Sequence, residues 1–554
     1  MLSGLYPVFE PAAASVTPGS LNSENRPPSA SDNASRGYTS TSEIWQYGGR
    51  FYQPVATPDA TSAAWAPVQT PAGTWVDIVT AMPSGSVAAA YGLFAIKSGF
   101  TGPCIDISVT INSTPTAFTI NILTGGKLDT SALGAAMVRA DAGSKVTVTK
   151  WYDQNGTNHA TSGTNTLFID WDPVLGMYAL FGETSTMTAR NLVIPNTVSV
   201  NSRQCSFWAM GRGVVACGKT SPVVGCLGNW NGGTGPLLFI GNEYTSSPET
   251  SKPTLAAWQT GQNYRTPSTM VPLDCGLCVV GVVPSASNTT FWCNEDTGVN
   301  ATAPTSATLT GGAIGTNTVG ADRYASMRFV AVMVTQTTAL TSAVQQQLRY
   351  AAYLQLGIMP QVKDRVVFIG DSRTQGFIAA QADTLPMAVV ERLTRSAKVH
   401  NCGNSGWGNT HFTTGSPSTL GAVNTLYNST RKNIAVVWLG VNDFLVSNLA
   451  TDQAFTALTA NIATLKAQGW TVLLVNEAAT TSTVNSTNTK LATLRGLIAA
   501  GGHGADELIE LGGLTPYLAA SNTAYYPDGL HGSTALYHMM ASRIAERLDY
   551  WLGL

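Results

Sequence analysis

Ser372, Asp528 and His531 are the residues of this chain whose types and spacing could do nucleophilic chemistry. A serine hydroxyl at its ordinary pKa is a poor nucleophile and attacks a carbonyl carbon only when a base takes its proton. Imidazole titrates near neutral pH and is the natural base. Asp528 stands three residues before the histidine in Tyr526-Pro-Asp-Gly-Leu-His531. A carboxylate at that distance can accept from the second ring nitrogen and fix the tautomer. The tetrahedral intermediate would carry an oxyanion. Its candidate donors are the N–H of Ser372, the N–H of Gly406 and the side-chain amide of Asn442.

These residues fall in four blocks. Gly370-Asp371-Ser372 follows the apolar run Val366–Ile369, and Asn401-Cys-Gly-Asn-Ser-Gly406 comes next. Trp438-Leu-Gly-Val-Asn442-Asp443 and Tyr526–Gly532 complete the set. A buried strand that turns tightly into a helix presents its turn residue at the carboxyl edge of a sheet, where ligands collect in open α/β folds. Residues 359–554 supply the elements for that edge. Strands are predicted at 365–369, 397–401, 433–439, 471–475 and 507–511, and helices near 384–396, 452–467, 487–500 and 534–552. This alternation implies one parallel, doubly wound sheet. A helical pattern over Ala339–Leu354, then Gly357 and Pro360, sets a domain boundary near 358.

Taken in order, the four blocks resemble the SGNH hydrolases, the GDSL-type esterase and lipase superfamily. The Ser, Gly, Asn and His that name the superfamily match Ser372, Gly406, Asn442 and His531, with Asp528 as the acid of its Asp-x-x-His motif. The resemblance implies a flavodoxin-like three-layer α/β fold, a shallow open site, no metal or other cofactor, and ester hydrolysis. Small acyl groups on carbohydrates are a common substrate class of that family. One departure is Asp-Ser-Arg where the family usually has Leu, Ile or Thr after the serine. Arg373 is therefore placed beside the nucleophile, for contact with substrate or with the helix turn. Trp407, next to the oxyanion glycine, is a candidate platform for a sugar ring or a lid on the core, and His411 a candidate border of the substrate site. Asp371 reads as a partner of its own turn, and His400, His503 and His538 as structural or solvent-exposed.

Residues 85–358 alternate apolar and polar at period two in many short runs, such as Cys104-Ile-Asp-Ile-Ser-Val-Thr-Ile and Arg328-Phe-Val-Ala-Val-Met-Val. That is the pattern of an antiparallel β-sandwich. Two stretches, Ala90–Ile105 and Lys150-Trp-Tyr-Asp-Gln-Asn-Gly through Thr161, look like the concanavalin A-type jelly-roll domain of α-L-arabinofuranosidases and its relatives in bacterial and phage proteins. The resemblance implies a lectin-like domain. A glycosidase would need two carboxylates at a set separation. Asp153, Asp170, Asp172, Glu183 and Glu295 are candidates, but none matches a catalytic position, and Asp153 reads as a stabiliser of the turn before Asn155-Gly156. Sugar binding or a structural role is favoured over hydrolysis here.

Residues 1–84 read as an extended arm punctuated by proline, with a hairpin around Gly48-Gly49 whose aromatic residues could dock or oligomerise. The first residues, Met1–Pro7, carry neither the basic nor the apolar segment of a secretory signal. Only 11% of residues are charged, against the usual figure of about 25%, as suits a β-rich surface solubilised by hydroxyls and amides. A net charge of -2 gives no case for nucleic acid or an anionic membrane, and no apolar run reaches the roughly 18–20 residues of a membrane span. Cys275-Gly-Leu-Cys278 reads as two core thiols or halves of two bridges rather than a metal site.

The expectation is a multidomain chain in three parts: an arm (1–84), a jelly-roll sandwich (85–358) and a serine esterase (359–554). It would remove O-acetyl groups from a polysaccharide. The overall style resembles a phage tail fibre or tailspike, which implies a homotrimer in a virion or otherwise extracellular, bound to other tail proteins through the arm and acting on host-surface glycan. The alternatives are a non-catalytic glycan-binding receptor adhesin, and a secreted bacterial acetylxylan-type esterase or arabinofuranosidase.

Overall fold

A computed structural model of the protein describes residues 87–336 and 364–553 apart from internal stretches, the longest being 260–270, together with three strands near the N-terminus. Trp45–Tyr47 and Arg50–Pro54 pair antiparallel, and Trp65–Pro67 adds a third antiparallel strand, while Gly48-Gly49 lie outside the described residues. The rest of the arm, the helix expected over 339–354, the boundary at Gly357 and Pro360, Glu183 and Glu295 all lie outside the described residues.

From Val87–Gly92 to Met327–Thr335 the strands join in one hydrogen-bonded network that closes on itself. The described pairings are antiparallel except for a short parallel contact between Pro222–Gly228 and Tyr324–Ala325. The period-two pattern supplies the interior. In Gly102–Ile111, Ile105, Ile107 and Val109 are buried while Asp106 and Ser108 are partly exposed. Three expected acidic candidates are occupied structurally. Buried Asp153 accepts the N–H groups of Ala90, Asn155 and Asn158 at 2.9, 2.9 and 3.2 Å. Asp172 caps Val174 and Leu175 and pairs with Arg328 at 3.1 Å, and Asp170 accepts the N–H of Trp171.

The C-terminal strands are β1 (Asp364–Gly370), β2 (Ala397–Gly403), β3 (Asn433–Trp438), β4 (Thr471–Val475) and β5 (Glu507–Ile509). They form a parallel sheet in the order β2-β1-β3-β4-β5. The helices are α1 (Ser372–Gln375), α2 (Leu385–Val390), α3 (Asn409–Thr414), α4 (Thr419–Asn424), α5 (Val441–Leu445), α6 (Thr451–Gln468), α7 (Thr487–Ala500) and α8 (Thr534–Gly553). Alternate strand residues feed two cores. Val366, Phe368 and Val436 pack with α2 and α8, while Val367, Ile369 and Val437 pack with α6 and α7. Burial of both faces is why these strands are continuous apolar runs rather than alternating ones. The helix expected to run to 396 ends earlier, at Val390.

The antiparallel region covers the open edge of this sheet, an edge that would otherwise be free to pair with another chain. The N–H of Cys275 donates to Val399 O of β2 at 2.8 Å, and Asp274 bridges to His400. Arg212, fully buried, donates to Cys275 O, Met387 O and Glu391 at 2.8, 2.9 and 3.0 Å. Asp296 accepts from Arg365 at 2.7 Å and from Lys398 at 3.4 Å. His400 is structural, and burial pushes its imidazole down to about 3. Cys275 and Cys278 are buried free thiols, and burial raises Cys275 to about 12. Among the described residues no cluster of three or more His, Cys, Asp or Glu could hold a metal. No described helix is long and apolar enough to cross a membrane.

Candidate active site

Ser372 opens α1 directly after β1 and Asp371. Asp371 caps the helix, its Oδ1 accepting the N–H of Arg373 at 2.9 Å. The N–H of Ser372 belongs to the first turn, whose donors have no intrahelical acceptor, so it is available to a ligand at the sheet edge.

The turn before α8 brings the base to this serine. His531 Nε2 stands 2.8 Å from Ser372 Oγ, and its Nδ1 stands 2.6 Å from Asp528 Oδ2. Asp528 Oδ1 accepts the N–H groups of Leu530 and His531 at 3.0 and 2.7 Å. Partial burial pushes this carboxyl up, but the bonds from the His531 ring and the two N–H groups outweigh it and hold the group at about 2. Gly529 has φ +76°, and a Cβ there would lie 1.9 Å from Thr481 Oγ1, so backbone and space both call for glycine. Thr481 N and Thr480 Oγ1 donate to Gly529 O at 2.9 and 3.1 Å. The loop after β4 thus holds the acid–base turn in place.

The oxyanion candidates come from the ends of β2 and β3. Asn404–Trp407 form a turn closed by Trp407 N to Asn404 O at 3.2 Å, with Gly406 third in it at φ +77°. Such a turn needs a residue tolerant of positive φ at that position. The loop is tied to the nucleophile turn through Asn404 N to Gly370 O at 2.9 Å and Ser405 N to Gln375 Oε1 at 2.6 Å. Asn442 Nδ2 donates to Trp407 O at 3.1 Å. A primary amide has two N–H groups, so the second remains for an oxyanion. The neighbouring Asp443 accepts both the backbone and side-chain N–H of Asn409, at 2.7 and 2.6 Å. Burial pushes the Asp443 carboxyl up to about 7, against the opposing pull of those Asn409 bonds.

Two expectations are corrected. Of its two expected contacts Arg373 makes the one with the helix turn, through Asp371, and does not face substrate. Its side chain is 1% exposed, with the guanidinium locked between Asp371 and Glu477. Trp407 is not an open platform either, because its ring is buried and stacks on His411 at 6.2 Å. His411 is partly exposed and accepts the N–H of Gly408 at 3.2 Å, beside the oxyanion loop. Glu477 and Asn409 were not singled out in the sequence. Their signal was a polar residue just beyond an apolar strand or its turn, as in Val475-Asn-Glu477.

Residues 368–539 match the GDSL-like Lipase/Acylhydrolase family. This C-terminal region is a GDSL/SGNH hydrolase domain. Among solved structures, the chain is similar to the acetyl xylan esterase AlAXEase, at 19% identity over 33% of this chain and 99% of that one, with a TM-score of 0.26. It is similar to the psychrotrophic esterase EstA from Pseudoalteromonas sp. at 15% identity over 34% and 100%, with a TM-score of 0.28. It is also similar to a mutant GH54 α-L-arabinofuranosidase soaked with 4-nitrophenyl α-L-arabinofuranoside, at 14% identity over 48% of this chain and 63% of that one, with a TM-score of 0.31. The chain therefore spans less than two thirds of that last structure's length. No curated protein sequence matches the chain. In the hydrolase domain the four blocks of the sequence lie at the carboxyl ends of β1, β2 and β3 and in the turn before α8.

Proposed function

We propose that the protein is a serine esterase that removes acyl groups, O-acetyl above all, from a polysaccharide. The observation that carries this reading is the relay Ser372–His531–Asp528, with contacts of 2.8 and 2.6 Å between groups brought together from across the domain. His531 Nε2 takes the proton as Ser372 Oγ bonds to the ester carbonyl carbon. The oxyanion that forms is met by the N–H groups of Ser372 and Gly406 and the amide of Asn442. The intermediate collapses, the sugar alkoxide leaves with the proton from His531, and an acyl-serine remains. Water, deprotonated by the same imidazole, releases the acid and restores the hydroxyl.

The strand order 2-1-3-4-5 is the flavodoxin-like order, and ligands bind beyond the carboxyl ends of such a sheet. The antiparallel region is read as a concanavalin A-like jelly roll that recognises glycan, supported by the two sequence stretches around Tyr91 and Trp151. Low charge and richness in Gly, Thr, Ser and Asn favour a phage tail fibre or tailspike, working as a homotrimer in a virion or outside cells and attached through its N-terminal arm to other tail proteins.

Purified protein should release p-nitrophenol from p-nitrophenyl acetate, and Ser372→Ala should abolish turnover with folding intact. Turnover that survives the substitution would remove Ser372 from the reaction. Acetate release from a panel of bacterial capsules and acetylated xylans then separates host-surface glycan from plant polysaccharide as substrate. A folded protein that binds these glycans and hydrolyses neither them nor the model ester would be an adhesin.

A further inference from the structure

Ser372 is enclosed by its own neighbours in sequence. Arg373 Nε and Nη2 donate to Asp371 Oδ1 and Oδ2 at 3.0 and 2.7 Å, while the backbone N–H of the same arginine donates to Asp371 Oδ1 at 2.9 Å. The residues on either side of the nucleophile are therefore bonded to each other twice over, by main chain and by side chain. The other side of the guanidinium goes to Glu477, with Nη1 to Oε2 at 2.7 Å and Nη2 to Oε1 at 3.2 Å. Its flat face lies over the ring of Trp438 at 4.4 Å. All three charged side chains are shut off from solvent. The group joins the carboxyl ends of β1, β3 and β4, which are adjacent in the sheet.

A helix cap needs only the carboxylate of Asp371. The arginine adds orientation, since a planar fork bonded on two sides cannot rotate, and it balances a second buried acid. Without it, the carboxylates of Asp371 and Glu477 would share a dry pocket with no cation between them, and Asp371 would have to turn away or shift with its helix turn. Either change moves the peptide that carries the Ser372 N–H. Misplacement of a reacting group by about 1 Å can cost on the order of 10² in rate.

We propose that Arg373 is a positioning residue for the nucleophile, locking Asp371 to Glu477 so that the Ser372 hydroxyl and N–H keep the direction the reaction needs. This rests on the esterase reading, and the test separates the two. The probe is an alkyl fluorophosphonate, which reacts with an activated serine whatever the natural substrate. The Ser372 Oγ–P bond forms, the P–F bond breaks, fluoride leaves and the serine proton passes to His531.

Intact mass gives the rate constant per labelled site, and p-nitrophenyl acetate gives kcat and KM, each corrected for the active fraction. Arg373→Lys keeps a charge but loses the fork. It should lower the labelling rate constant and kcat together by about tenfold or more, with KM within about twofold of wild type. Glu477→Gln retains the arginine and loosens one side of the clamp, and should lower both by about threefold. A purely structural arginine would reduce the active fraction and melting temperature but leave the per-site rate constant unchanged, and that result overturns the proposal. If Arg373→Lys does not fold, an unchanged rate constant in Glu477→Gln overturns it equally. Wild-type protein that is not labelled at Ser372 would instead overturn the esterase reading itself.

Discussion

Asp528 holds His531 from two directions, its Oδ2 2.6 Å from the ring Nδ1 and its Oδ1 2.7 Å from the backbone N–H of the same residue. The carboxylate therefore fixes both the ring and the turn that carries it. With its carboxyl held at about 2, Asp528 is ionised throughout the neutral range and adds nothing to the pH–rate profile there. Asp528→Asn keeps the shape but offers the ring an amide that favours the wrong tautomer. We expect kcat on p-nitrophenyl acetate to fall by roughly 10²–10⁴ with KM little changed. A variant with near wild-type kcat would show that His531 works without its acid.

Asn442 spends one amide N–H on Trp407 O and has the other for the oxyanion. Asn442→Ala should lower kcat by about 10²–10³, the usual effect of losing one such donor. Asn442→Asp should lower it further, because a carboxylate donates nothing and repels the developing charge. Equal kcat in wild type and Asn442→Ala would leave the Ser372 and Gly406 N–H groups as the whole of the anion site.

Asp443 gives a pH dependence of stability whose sign can be fixed. Burial raises its folded pKa to about 7, above the ordinary value of 3.8. Between these two values the folded state binds the proton that the unfolded state has lost. Stability from this group is therefore complete below about pH 4 and is lost as pH rises through 7. The loss is on the order of 4 kcal/mol at most. Asp443→Asn mimics the protonated form. Denaturant melts of wild type should move to lower midpoint from pH 5 to pH 8 relative to those of the variant. Parallel curves would mean that Asp443 is ionised over the whole range.

The site was legible because its chemistry sits at strand ends that announce themselves. The run Val366–Ile369 gives β1, and the turn at its carboxyl end must lie at the sheet edge. Asp528 and His531 are near in sequence, so their pairing could be foreseen. The sequence leaves Arg373 between substrate and its own helix turn because its second partner, Glu477, lies 104 residues away, and spacing along a chain does not report which side of a turn a long side chain takes. The sequence leaves Trp407 between sugar platform and core lid because adjacency to Gly406 says nothing about exposure, and the buried ring is the lid. In the antiparallel region period-two alternation located strands such as Gly102–Ile111, but pairing is long-range. Nothing local to Cys275 or Arg212 revealed that they meet β2 and α2.

That contact between the two sheets yields the last expectation. Arg212 is fully buried and bonded to Cys275 O, Met387 O and Glu391, so it ties the antiparallel region to the hydrolase domain at α2. Asp296 works at the same seam. Burial pushes its carboxyl up, but Lys398, Arg365 and His400 outweigh that and hold it well below the ordinary range. Removing Arg212 takes its donors away from Cys275 O and Met387 O at the seam, and each buried polar group left unsatisfied costs about 1–3 kcal/mol. Arg212→Ala should therefore uncouple the two sheets. Calorimetry of the wild type should show them melting in one transition, while the variant should show two, the earlier one accompanied by loss of p-nitrophenyl acetate hydrolysis. The Asp296 contribution has the opposite pH sense to that of Asp443. It is present above the unfolded carboxylate pKa and is lost as pH falls through the depressed folded value. Acidification toward pH 3 should then weaken the seam in wild type more than in Asp296→Asn. A single unshifted transition in Arg212→Ala would show that the β2 edge contacts hold the sheets together without the arginine.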